Sequence, residues 1–338
     1  MAQPRPLRRA STFPITQTAV RIHGPGQNPK VDIDASLPVL GEYDILVKNL
    51  YCGINFVDLY YIKGSRPIKK YPFTLGREAA GTVIKTGAKV NKFGVGDRVV
   101  YIADGAYAQH TAVDERGRVA RIVDFVSPKE AAASLLQGLT AITLVREAYV
   151  VKPGDWVLVH AAAGGTGSLV VQMAAKAGAR VIGVTSVEAK AATALENGAE
   201  AVVCYKTEDI ATRVRELTGG RGVDAVFDSV GDASYGSSME SLAKRGTFVS
   251  YGDSSGAIAP VEIAALGAKS VKIVRHSLGN YVDSPEDWAK FTEEYWAMLK
   301  HGDLRVRVTK EYALEEVPQA LKDLESGTTT GKLIVKVQ

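Results

Sequence analysis

From Val157 onward, apolar runs that suit strands begin near Val157, Val181, Ala201, Val223, Gly246 and Ser270, and a helical pattern separates each pair. Successive starts lie about 20 to 24 residues apart, the length of one strand plus its crossover helix. This rhythm predicts six strands in a doubly wound parallel sheet, an α/β Rossmann domain. The first ~135 residues have another character: short alternating runs such as "DILVKNLYCGIN" and "GTVIKTGAKVNKFGVGDRVVYI" are split by Gly, Asn and Asp turns and read as a β-rich domain. After the sixth run, "SPEDWAKFTEEYWAMLKHG" carries an amphipathic helix with Ser284 as N-cap, Pro285 in the first turn and Gly302 as stop; a short helix and the strand "GKLIVKVQ" follow. That strand has no place among the six, so the tail is assigned to the β-rich domain. The expected division is 1–137 with 280–338 for the β-rich domain, residues 1–15 being a disordered tail, and 138–279 for the Rossmann domain inserted into it.

Composition narrows the function. A chain of 338 residues suits two cores, and 46% hydrophobic with 23% charged residues is the globular average. The net charge of +4 is too mild for a dedicated nucleic-acid binder and favours a small phosphate-bearing ligand. Cys52 and Cys204, the two cysteines, offer neither a disulfide framework nor a cysteine-based zinc site, so a reducing, cytoplasmic location is expected. No apolar run reaches the ~18 to 20 residues that span a bilayer. The start carries Arg5, Arg8 and Arg9 with no acid before Asp32, which makes a mitochondrial presequence the second reading of the tail.

The stretch "WVLVHAAAGGTGSLVVQMAAKAG" joins a strand to a helix through a glycine loop. The first helical turn presents free N–H groups and the positive end of the helix dipole, an anion site suited to a pyrophosphate. Gly164 lets the backbone approach the phosphates, Gly167 lets helix and strand pack closely, and Ala162 stands where the usual pattern has its first Gly. The position of this variant loop at the first crossover of a six-strand array reads as dinucleotide binding. The second strand ends at Thr185 and Ser186 with no acid to hold a ribose 2′-hydroxyl; Ser186 and Lys190 together suit a 2′-phosphate and select NADP(H). The competing reading leaves Lys190 as a solvated helix residue and gives Glu188 the acid's role.

With this loop come "CGINFVDLYYIKG", "YPFTLGREAAGTV", "GDRV", "QGLTA" and "TTTGKLIVKV". Together these motifs resemble the medium-chain dehydrogenase/reductase superfamily, and within it the zinc-free, zeta-crystallin-like NADPH:quinone oxidoreductases, from about Thr18 to the C-terminus. The resemblance implies a GroES-like β-rich catalytic domain made from both ends of the chain. The zinc alcohol dehydrogenases of the superfamily carry a Cys in the first motif and Gly-His-Glu in the second, where this chain has Asn55 and Arg77. The five histidines have no close-spaced partner, and no metal site is expected. Without a Lewis acid, reduction of an electron-poor acceptor such as a quinone is favoured over alcohol oxidation.

The resemblance also implies site residues. Gly164, Gly165, Thr166 and Gly167 should face the pyrophosphate, Ser186 and Lys190 the 2′-phosphate, and Tyr205 the adenosine. Ser229 and the turn Tyr251, Gly252, Ser254 and Ser255 lie at strand carboxyl ends where such ligands dock, while Asp253 departs from the Asn often seen there and is set below its neighbours. Asn55, Thr140, Ser277 and Lys332 should approach the nicotinamide half. For catalysis, Tyr60 is expected to donate a hydrogen bond to the acceptor oxygen with Asn55 as second donor; Tyr61 is the rival if the segment is a strand, where adjacent side chains point opposite ways. An enone or enoyl reductase, and a protein that binds AU-rich RNA and retains a nucleotide site, are the alternatives; the interspersed acids after residue 31 count against RNA. A homodimer through the exposed sixth strand is expected.

Overall fold

The structure, a computed structural model, describes residues 15–337; the basic start on which the tail and presequence readings rest lies, up to residue 14, outside them. The N-terminal part contributes β1 (Thr16–Ile22), β2 (Lys30–Ser36), β3 (Asp44–Gly53), α1 (Phe56–Ile62), β4 (Phe73–Thr74) and β5 (Glu78–Thr86). There follow β6 (Arg98–Ile102), β7 (His110–Asp114), β8 (Val119–Arg121) and α2 (Pro128–Thr143). The middle alternates strictly: β9 (Trp156–Val159), α3 (Gly165–Lys176), β10 (Arg180–Thr185), α4 (Ala191–Glu196), β11 (Ala201–Cys204), α5 (Ile210–Leu217), β12 (Val223–Asp228), α6 (Asp232–Ser241) and β13 (Leu242–Ser250). The chain ends with β14 (Lys272–Arg275), α7 (Leu278–Tyr281), α8 (Pro285–Lys300), β15 (Val308–Ala313), α9 (Val317–Glu325) and β16 (Lys332–Lys336).

The six expected strands form one parallel sheet in the order β11-β10-β9-β12-β13-β14. The order reverses between β10-β9 and β12, and that crevice at the strand carboxyl ends is where a doubly wound sheet seats a dinucleotide. The second body is β-rich: β15-β16-β3-β5-β6-β8, with β7 also on β3, and a smaller sheet β2-β1-β4. The last strand, β16, runs antiparallel to β3 and parallel to β15. β15 escaped the sequence reading because its exposure pattern, mostly outward with only Tyr312 buried, has no alternation to detect.

The helix between the bodies carries strong local signals. Ser127 caps α2 with Pro128 in its first turn; the Ser127 hydroxyl accepts from the Glu130 N–H while Glu130 accepts from the Ser127 N–H, a reciprocal capping box. Twelve of its residues, from Ala131 to Thr143, are buried. α2 packs on β3 and β5 on one side and on α3 and α8 on the other, so the division drawn at 137/138 falls inside a continuous helix. Ser284 caps α8 as its sequence indicated, with Pro285 behind it.

Candidate active site

Between β9 and α3 the chain turns sharply at Ala161, whose φ of 49° lies in the left-handed region that costs a residue with a Cβ about 1–2 kcal/mol. The turn is thus made by Ala161, one residue before the position read as the missing first glycine. It aims the Ala161 carbonyl at the helix start: that oxygen accepts from the Gly164 N–H at 2.8 Å, and a Cβ on Gly167 would lie 2.3 Å from it. Only glycine fits at 167. Gly164 is the N-cap, and the first-turn amides of Gly165, Thr166 and Gly167 have no helical acceptor. They form the positive mouth the sequence implied. The C-terminal segment runs alongside, Gly331 donating its N–H to the Ala163 carbonyl at 2.8 Å.

At the outer end, β10 and β11 pair with Thr185 opposite Cys204, so Ser186 and Tyr205 leave the sheet side by side; Tyr205 is 52% exposed. Lys190 is not simply solvated. Its ammonium donates to the carbonyls of Gly327 at 2.5 Å and Thr329 at 2.8 Å, and burial together with nearby Lys206 lowers its pKa. One of its three protons stays available to an anion. At the end of β12, fully buried Asp228 accepts from the N–H groups of Val230 and Gly231 and from the hydroxyls of Ser234 and Ser238, which shapes the turn carrying Ser229. Ser254 and Ser255 donate backbone N–H groups to Ser229 and Val230, joining the turn after β13, with Tyr251 and Gly252, to this one.

The inner end is a buried polar cluster. Lys332, 4% exposed, donates to Glu78 Oε1 at 2.6 Å, Asn55 Oδ1 at 2.9 Å and the Ile54 carbonyl at 2.9 Å. Glu78, wholly buried, also accepts from Asn55 Nδ2, Gln137 Nε2 and the Leu136 N–H. Burial pushes Lys332 down, opposed by the Glu78 charge. Asp58 beside them is pushed up to about 7 by burial, against hydrogen bonds from the Tyr107 hydroxyl and the Asn55 N–H. Gln137 Nε2 points at two acceptors, Asn55 Oδ1 and Glu78 Oε1, which fixes the amide orientation and leaves its buried Oε1 with no partner. A buried carbonyl lacking a donor costs about 1–3 kcal/mol, so a hydroxyl or amide from a ligand fits here.

Three expectations change. Asn55 cannot be the second hydrogen-bond donor to an acceptor, because both protons of its amide are engaged, by the Gly53 carbonyl and by Glu78. Lys332 has all three protons engaged within the protein, so it holds Glu78 and Asn55 in place and does not reach a ligand through its ammonium. Tyr60 and Tyr61 stand on helix α1, about 100° apart by helix geometry, instead of on opposite faces of a strand. The Tyr60 oxygen accepts the Asp253 N–H at 2.7 Å across the crevice, while Tyr61 lies on Phe73 and points to Asp104. Thr140 sits inside α2, its hydroxyl bonded back to the Leu136 carbonyl; Ser277 is exposed at the start of α7.

Glu78, Gln137, Asp58 and Arg275 were not singled out from the sequence. Glu78 and Gln137 lie in the motifs "GREAAG" and "QGLTA", and an acid between apolar neighbours on a strand is itself a signal that a buried partner exists. Arg77, in the second motif, is paired with Asp104 at 2.6 Å. Among the described residues no group of three or more His, Cys, Asp or Glu is placed to hold a metal ion, and no helix is long and apolar enough to cross a membrane.

Comparison with known proteins agrees with this architecture. Residues 41–125 match the alcohol dehydrogenase GroES-like domain and residues 165–297 the zinc-binding dehydrogenase model. A probable quinone oxidoreductase of Schizosaccharomyces pombe is 40% identical over 90% of this chain and 92% of its own. Among solved structures, the quinone oxidoreductase of Pseudomonas syringae superposes with a TM-score of 0.91 at 37% identity. The Escherichia coli quinone oxidoreductase complexed with NADPH gives 0.90 at 36%; each covers 95% of this chain and 100% of the other. The chain therefore belongs to the quinone oxidoreductases of the medium-chain dehydrogenase/reductase superfamily.

Proposed function

We propose that the protein reduces quinones with NADPH and without a metal. The observation that carries this reading is the commitment of Asn55 and Arg77, the residues at the two places where zinc relatives have ligands: an amide tied to Glu78, Gln137 and Lys332, and a guanidinium paired with Asp104. Neither offers the thiolate, imidazole or carboxylate that binds zinc, so the acceptor must already be electron-poor. When bound, NADPH supplies the hydride. The α3 amides and Gly164 hold its pyrophosphate, Ser186, Lys190 and Tyr205 its adenosine 2′-phosphate end, and the Ser229 and Tyr251–Ser255 turns the rim between. Asn55, Gln137, Thr140 and Ser277 border the nicotinamide half. Tyr60 supplies the hydrogen bond to the acceptor oxygen: its oxygen takes the Asp253 N–H, which leaves its own proton free to donate.

Initial rates of cofactor oxidation test the reading, with an ortho-quinone, an aliphatic enone and no acceptor, each with NADPH and NADH. Fast NADPH-dependent turnover on the quinone is expected. Lys190→Ala should erase about 10- to 100-fold of the NADPH preference, the worth of one charge-assisted hydrogen bond. A native preference for NADH would overturn the role given to Lys190, and quinone turnover no faster than the no-acceptor rate would overturn the reaction.

We further read the protein as a cytoplasmic homodimer. Both cysteines are free and buried, which suits a reducing compartment. β14 closes the six-stranded sheet with a free edge, and Ile273 on it is 38% exposed. Pairing two such edges around a two-fold axis satisfies their backbone groups. Light scattering at micromolar concentration should return twice the chain mass, and a monomeric mass would refute the dimer.

A further inference from the structure

Asp253 is an acid in a turn whose neighbours face the proposed phosphates, and its environment explains how it is tolerated. Arg275, at the end of β14 and opposite Ser250 in register, grips both carboxylate oxygens, with Nη1 at 2.9 Å and Nη2 at 2.5 Å. The same Nη1 donates to Ser250 Oγ at 2.6 Å and to the Gly252 carbonyl at 3.3 Å. One guanidinium thus ties residues 250, 252 and 253 into a single rigid turn. The Asp253 N–H projects from that turn to the Tyr60 hydroxyl of the other body.

We propose that Arg275 is a positioning residue for the reaction: by clamping Asp253 it holds the amide that orients the Tyr60 hydroxyl toward the acceptor. The inference rests on the reading of Tyr60 as the hydrogen-bond donor. A hydroxyl that accepts one strong hydrogen bond becomes a better donor in its other, and its proton is directed away from the amide into the crevice. The pair itself contributes little to stability, because the Arg275 side chain is 50% exposed and that of Asp253 30%. Its consequence is geometric, and lysine cannot reproduce it: a single ammonium does not span both carboxylate oxygens and the Ser250 hydroxyl in one plane.

A double-mutant cycle on the single-turnover rate of NADPH oxidation, with a weakly oxidising quinone so that the donor matters, tests the inference. The variants are Arg275→Gln, Tyr60→Phe and both together, and NADPH dissociation constants are measured for each by fluorescence titration. Tyr60→Phe is expected to slow the step about 10- to 100-fold and Arg275→Gln about tenfold, with NADPH affinity within about threefold of the parent and an unchanged Tm. The double variant should be no slower than Tyr60→Phe alone, since Arg275 acts through a hydroxyl already removed. Arg275→Lys should behave like Arg275→Gln. If the two losses multiply in the double variant, or if the Arg275→Gln loss sits in NADPH affinity, Arg275 acts on something other than Tyr60 and the proposal falls. If Tyr60→Phe is slow while Arg275→Gln is unaffected, the positioning role falls and the reading of Tyr60 survives. A Tyr60→Phe rate equal to the parent's removes both.

Discussion

Exchange of Lys332 for methionine is expected to lower the unfolding free energy, and so the stability, by about 3–5 kcal/mol, the usual consequence of removing one partner from a buried ion pair. Lys332 is 4% exposed and Glu78 not at all, so nothing but the protein compensates the Glu78 carboxylate once the ammonium is gone. Methionine has nearly the length of the lysine stem and fills the same channel, which keeps the loss electrostatic and not a cavity effect. The Ile54 carbonyl and Asn55 Oδ1 lose a donor at the same time. Adding Glu78→Gln to Lys332→Met should restore part of the stability, because the buried charge is gone and the amide oxygen in the place of Oε1 still receives the Asn55 and Gln137 N–H groups, while the Leu136 N–H, which Oε2 accepts in the parent, loses its acceptor. Urea titrations with an unchanged m-value would measure both steps. A Lys332→Met chain as stable as the parent would show that the cluster carries no net ion pair.

Gly167→Ala is expected to cost about 1–3 kcal/mol of stability through overpacking. It should also weaken NADPH binding at least tenfold. The added Cβ would sit 2.3 Å from the Ala161 carbonyl oxygen and 3.1 Å from that of His160, and backbone cannot turn aside as a flexible side chain does. Relief comes only if α3 retreats from β9, and its first-turn amides retreat with it. Gly164→Ala makes the control: its Cβ would lie 3.2 Å from the same oxygen, a contact that small shifts relieve, so its stability loss should be smaller. Thermal unfolding and fluorescence titration with NADPH read the two effects separately. Parent-like NADPH affinity in Gly167→Ala would mean that the helix start is not the pyrophosphate seat.

These two positions differ in how far they could be read beforehand. Gly167 belongs to a local pattern: strand, turn and helix start lie within one short stretch, and the close approach of α3 to β9 is the reason for the glycine. The six parallel strands were legible for the same reason, since each apolar run is bounded by its own turn residues. Tyr60 and Tyr61 were legible as candidates but not as helical. Asn55 and Asp58, N-cap and third helical residue, turn "FVDLYYI" into one short helix through the bond from the Asn55 N–H to Asp58. Buried Asp58 and Asn55 make that helix part of the cluster as well as its frame.

What the sequence determined by itself was therefore whatever depends on neighbours along the chain: the alternating strands and helices, the glycine loop, the acid-free end of β10, and the family resemblance carried by ordered motifs. The tertiary structure decided which groups retain a free proton. Lys332 and Glu78 are 254 positions apart and meet because β16 lies beside β3 and β3 beside β5, while α2 lowers Gln137 onto the pair. Tyr60 and Asp253, 193 positions apart, meet because α1 of one body faces the strand ends of the other. No local pattern records such encounters, since hydrogen-bonding capacity is a property of each residue but its satisfaction is a property of everything packed around it. That is why the motifs could name Asn55 and Lys332, yet only the assembled fold showed their donors engaged within the protein, leaving Tyr60 with the proton.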